Sequence, residues 1–219
     1  AALDLTQHDG DRTPGFPLLL VLAGLNPRLT LLLQALLGLG ASALLYLTAR
    51  EISPNRTLSF IVALSPTVVL NQLFMETNLL SEHLTTVLAI ATLYVGVRFV
   101  IRGTTRGSAT WLGLLAAATA LARPVYLGLF PVYLLVVILF ATPGRRVAST
   151  SAFLAAAFVP ILGWMTVNAI TIGQFGMSLR LGLGLMNHAA PFIEHADDRY
   201  ATMRDILRRH REAVAQTEE

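Results

Sequence analysis

The sequence contains no cysteine, so neither a disulfide framework nor a thiolate metal site is open to it. It contains no lysine either. All sixteen basic residues are arginine, which we read as genomic composition rather than as function. Charge is scarce, at 13% of 219 residues, against about 25% in an ordinary soluble domain. Long stretches lack it altogether, among them residues 29–49, 107–122, 124–144 and 147–179. A soluble globular domain is therefore a poor description. No P-loop, nucleotide-fold fingerprint or zinc-protease signature occurs, so nothing supports a nucleotide cofactor or a nucleotide-driven engine. Internal repeats and low-complexity segments are absent too.

What is present is apolar sequence in long blocks, 54% hydrophobic residues with a mean hydropathy of +0.63. A helix needs roughly 20 apolar residues to cross the hydrocarbon core, within a range of about 17–25. We expect an all-α fold, a polytopic helical bundle with about six transmembrane helices at residues 28–48, 58–75, 79–97, 108–122, 125–141 and 148–170. FPLLLVLAGL (residues 16–25) is too short to span and suits an interfacial helix. A C-terminal surface helix is expected from about Asp198 to Val214, with an apolar face of Tyr200, Met203, Ile206, Leu207 and Val214. Its arginines suit either plain solvation or contact with anionic lipid or a partner. Two regions follow: a transmembrane module over 1–170 and an outward loop with an amphipathic tail over 171–219. The short fourth span invites close helix approach at Gly113 and at Ala116, Ala117 and Ala118.

The pI near 9.8 would suit a nucleic-acid partner. The arginines, however, punctuate apolar spans or sit in one tail, and a positive-inside membrane protein explains them without nucleic acid. The connections at 49–56, 98–107 and 142–146 hold seven arginines against one glutamate, Glu51, while the alternate short connections hold a single arginine, Arg123. The first set is expected in the cytoplasm. Both ends of the chain, the METN junction (75–78) and Arg123 are then expected to face outward.

Two charges interrupt apolar surroundings on that outer side. Glu82, four residues after the candidate cap Asn78, falls in the first turns of a span, where the helix N-terminus favours negative charge. It could pair at the interface, or bind a metal, a cation or a sugar hydroxyl. Arg123 precedes Pro124, and no other charge lies between Arg106 and Arg145. It could snorkel to the headgroups, or grip a phosphate with its bidentate fork. Asp11 could join a carboxylate set or be a solvated loop residue. Arg12 adjoins it. His83 and His188 lie on the same side, each as readily a plain hydrogen-bonding histidine as a member of a site.

Four motifs carry a resemblance. RTPGFPLLLVL (12–22), LLSEHLTTVLAIATLY (79–94), LAAATALARPVYLGLFP (115–131) and GWMTVNAITIGQFGMSLRLG (163–182) are similar, in order and over about 170 residues, to segments of the polytopic GT-C glycosyltransferases. Within that superfamily they most resemble the protein-mannosyltransferase-like, family 39-related group that includes the aminoarabinose lipid A transferases. The resemblance implies an integral enzyme of the bacterial plasma membrane. Such an enzyme moves a sugar from a polyprenyl-phosphate-linked donor to a glycan, lipid or protein acceptor at the outer face. Many members of the group use a divalent metal, Mg or Mn, near the donor phosphate, and others work without one. Matched by position, Asp11 and Glu82 become the catalytic carboxylate candidates, and Arg123 and Arg12 the phosphate-binding ones. His83 and His188 fall near the site. The match also departs from the pattern. The group's first span and principal catalytic aspartate are expected before residue 1, so Asp4 and Asp9 are not assigned that role. Phe16 replaces the usual tyrosine. Two other classes stay open: a transporter or flippase for lipid-linked anions, and a non-catalytic membrane subunit of the same fold. The second gains if Glu82 and Arg123 pair only with each other.

Overall fold

A computed structural model describes residues 13–68, 81–103, 106–178, 197, 201–202, 204–206 and 209. The chain divides into two compact units, Ala1–Met177 and Ser178–Glu219. The first unit is built from α1 (Gly15–Leu22), α2 (Pro27–Ile52), α3 (Arg56–Val68), α4 (Ser81–Arg102) and α5 (Arg106–Ala122). A 3-10 segment (Pro124–Leu129), α6 (Phe130–Phe140) and α7 (Arg146–Ile172) complete it. In the second unit, residues 201–202, 204–206 and 209 are helical, inside the helix expected from the apolar periodicity.

Local chemistry sets the boundaries. Asn26 opens α2 by accepting the amides of Arg28 and Leu29 on its side chain, with Pro27 in the first turn, where no amide proton is needed. α5 stops at Ala122 because Pro124 forces the residue before it out of helical geometry, and Arg123 is extended at φ −147° and ψ 118°. α7 ends at Gly173, whose φ of +72° is a left-handed cap.

The fold is all-α. Among the described residues, three helices can cross a membrane by length and composition: Pro27–Ile52, Ser81–Arg102 and Pro143–Ile172. Two further apolar stretches, Gly107–Ala122 and Pro124–Phe140, are shorter. The gap between this count and the expected six has physical causes. α5 has 17 residues, about 25 Å of helix against a core of about 30 Å. The next pass begins as a 3-10 segment, and the second expected span runs on past Val68, beyond the described residues.

Polarity is inverted relative to a soluble core. Thr30, Gln34, Ser59, His83, Thr85, Thr92, Ser149 and Asn168 are buried. Leu22, Leu32, Leu39, Phe60, Trp111, Val125, Leu139 and Val159 are exposed. That distribution suits helices whose outer faces meet lipid and whose contacts use small and hydrogen-bonding residues.

α4 sits between α2 and α5. His83 Nε2 meets the Gln34 carbonyl at 2.8 Å near one end. Toward the other end Arg102 forks onto Glu51 at 2.9 and 2.5 Å, so α2 and α4 run parallel. Arg98 approaches the same carboxylate at 3.8 Å. α5 returns antiparallel to α4, with Thr92 and Thr119 touching through their hydroxyls at 3.3 Å. The most extensive packing joins α5 to α7. There a Cβ on Gly113 would lie 2.5 Å from the Phe153 carbonyl oxygen, and Ala109, Ala116, Ala117 and Ala120 are almost fully buried. The close approach expected at Gly113 and the alanine run is thus observed, and its partner is α7.

Candidate functional site

Glu82 and Arg123 meet. Glu82 lies in the first turn of α4, and Arg123 is thrown off the end of α5 by the proline behind it. The antiparallel pairing of the two helices brings their termini together, and Arg123 Nη1 stands 3.1 Å from Glu82 Oε1. The Ser81 hydroxyl also reaches Glu82 Oε2 at 3.3 Å. The Arg123 amide still bonds the Thr119 carbonyl at 2.9 Å, so the last helical turn survives beneath the extended residue. Both side chains are partly exposed, Arg123 at 44% and Glu82 at 29%. In water such a pair contributes about 0.2–1 kcal/mol.

A second fastening lies beside this pair, and only its sequence motif was visible beforehand. The buried Thr13 hydroxyl donates to the Ala122 carbonyl at 3.1 Å. A Cβ on Gly15 would stand 2.7 Å from Ala122 Cα. The threonine and glycine of RTPG therefore dock on the alanine of LARP. Two of the four family-like motifs are a single contact in three dimensions. Phe16 and Leu19 bury the inner face of α1 while Leu22 stays exposed, so the short first helix is docked on the bundle along one face.

His83 follows Glu82 in sequence but points elsewhere. It is fully buried against α2 through the Gln34 carbonyl, a helix-to-helix contact rather than part of the Glu82–Arg123 pair. Asp11, Arg12 and His188 lie outside the described residues, as do Glu76 and the candidate cap Asn78. Among the described residues no group of three metal-ligating side chains gathers. Glu82 is, among the described residues, the carboxylate at this end and already faces an arginine, whereas Mg and similar cations take several oxygen ligands. The described residues thus do not by themselves compose a divalent-metal site.

The fourth motif also resolves into a contact. Trp164 Nε1 donates to the Met177 carbonyl at 3.1 Å, and Asn168 Nδ2 to the Gly176 carbonyl at 2.6 Å. These two residues share one face of α7 and fold the segment after Gly173 back, burying Met177 in the core. The sequence signal was a tryptophan and an asparagine four residues apart, followed by a glycine.

The chain matches no protein-family model, no curated protein and no solved structure. What its fold defines is therefore a class: an all-α, integral-membrane-like helical bundle with three candidate spans. One end of the bundle carries the Glu51–Arg98–Arg102 cluster, and the opposite end of α4 carries Glu82 and Arg123.

Proposed function

We propose that the chain is a GT-C-type membrane glycosyltransferase, related to the protein-mannosyltransferase-like group. It transfers a sugar from a polyprenyl-phosphate donor to an acceptor hydroxyl at the outer face of a bacterial plasma membrane. In this reading six passes cross the bilayer, and the arginine-rich end is cytoplasmic. The observation that carries it is the convergence of Glu82 and Arg123 at 3.1 Å, at the end of α4 opposite Arg102. The docking of Thr13 and Gly15 on Ala122 adds support, since it brings two of the motifs behind the resemblance into contact.

The chemistry is a displacement at the anomeric carbon. The acceptor oxygen forms the new bond, the bond from that carbon to the phosphate oxygen breaks, and polyprenyl phosphate leaves with the electron pair. A carboxylate, Asp11 or Glu82, takes the acceptor's proton. Arg123, with Arg12, stabilises charge growing on the leaving phosphate. Glu82 holds the Arg123 guanidinium in place until phosphate competes for it. A second reading, a non-catalytic membrane subunit, is favoured by one observation: among the described residues, the partner of each of these charges is the other.

The test is sugar release from membrane-extracted polyprenyl-phosphate sugars by the full-length protein and its Glu82→Gln and Arg123→Ala variants. Loss of about 100-fold or more is expected for Arg123→Ala, the scale of removing a preorganised charge-stabilising group. Unchanged turnover in both variants would remove their assigned roles and favour the non-catalytic subunit.

A further inference from the structure

The far end of the bundle carries a feature that glycosyl transfer does not use. Between α4 and α6 runs an open apolar groove of about 400 Å³, lined by Leu93, Val97 and Ile101 of α4, Val132 and Val136 of α6, and Ile52 at the end of α2. From Thr92 to Ile101 it follows α4 for nine residue steps, about 14 Å at 1.5 Å per residue. Its outer end lies at the arginine cluster, because Ile52 follows Glu51 and Ile101 precedes Arg102.

That cluster is unevenly balanced. Arg102 takes both oxygens of Glu51. Arg98 reaches one of them only at 3.8 Å and is 42% exposed. Two arginines against one carboxylate leave one positive charge, on Arg98, the member that Glu51 holds less closely. Tyr94 orients that member, with its hydroxyl accepting from Arg98 Nη1 at 3.1 Å and its ring lying 5.5 Å below the guanidinium. Arg50 stands beside Glu51 and donates to the Pro54 carbonyl.

The geometry points to a binding site for one anionic glycerophospholipid in the leaflet at the arginine-rich end, with an acyl chain in the α4–α6 groove and the phosphate on Arg98. Charge complementarity selects the anionic headgroup, since a basic site between helices at the membrane surface is what such lipids recognise. The wall selects a chain. Its side chains are mostly branched aliphatic, with Thr92, Gly96 and Tyr133 among them, and an acyl chain suits that apolar surface. The lipid is not the sugar donor, because Arg98 lies sixteen residues beyond Glu82 on the same helix, roughly 24 Å away. The inference therefore stands or falls independently of the proposed reaction.

The test is native mass spectrometry of the full chain released from detergent micelles after titration with palmitoyl-oleoyl phosphatidylglycerol or phosphatidylcholine. One phosphatidylglycerol should be retained, about fivefold or more tighter than phosphatidylcholine, the scale of one arginine at a membrane surface. Arg98→Gln should remove most of that preference, and Val132→Trp, which fills the groove from an exposed position, should weaken retention of both lipids. Equal retention of the two lipids by the unsubstituted chain overturns the proposal. So does displacement of phosphatidylglycerol by millimolar inorganic phosphate, which would mark a soluble-anion site, or retention that both substitutions leave intact.

Discussion

Arg123 owes its position to the residue that follows it. Pro124 denies it helical geometry, the extended backbone turns its side chain away from α5, and Glu82 on α4 meets it. The pair is partly exposed and so contributes little to stability, while Thr13 and Gly15 fasten the same corner through backbone contacts. Arg123→Ala should therefore lower stability by no more than about 1 kcal/mol, read as a small change in thermal unfolding in detergent. A large loss would mean that the pair is a structural fastening. Gly15→Ala should cost more, about 1–3 kcal/mol, because its new methyl meets backbone rather than a movable side chain. The two costs, measured on one preparation, rank the fastenings at this corner.

At the scale of elements, helix contacts are set by where side chains are smallest. Gly113 lets α5 approach α7 so closely that an added Cβ would lie 2.5 Å from the Phe153 carbonyl oxygen. Gly163, on α7 itself, has open space around its Cβ position. Gly113→Ala should destabilise by about 1–3 kcal/mol, whereas Gly163→Ala should be neutral or stabilise by up to about 1 kcal/mol. Equal effects would contradict the α5–α7 packing. Much of this was legible in the sequence: the helices, the break before Pro124, and the small-residue face of α5. The partner of that face was not, because periodicity marks which side of a helix is buried and not what covers it. His83 shows the same limit. One residue along a helix turns the side chain about 100°, so Glu82 meets Arg123 while His83 meets the Gln34 carbonyl of α2. Thr13 and Gly15 stand in one motif. The Thr13–Ala122 contact spans 109 residues and leaves no local trace.

For the whole molecule, the two ends differ in kind, and that difference carries the proposed orientation. The absence of cysteine makes orientation simple to measure, since any introduced thiol is unique. Val125 and Arg145 are exposed in connections at the two ends of α6. In intact cells a membrane-impermeant maleimide should label Val125→Cys and reach Arg145→Cys only after lysis. The reverse pattern would invert the topology and remove the outward-facing site. The central claim is that Glu82 and Arg123 serve a phosphate-bearing donor and do more than neutralise each other, and one variant separates the two roles. Exchanging the charges, Glu82→Arg with Arg123→Glu, keeps an ion pair between the same positions but moves the guanidinium from the end of α5 to α4. Sugar release by this protein should fall by about 100-fold while its unfolding temperature stays near that of the unsubstituted chain. Full turnover with the charges exchanged would contradict the claim and leave the pair a fastening alone.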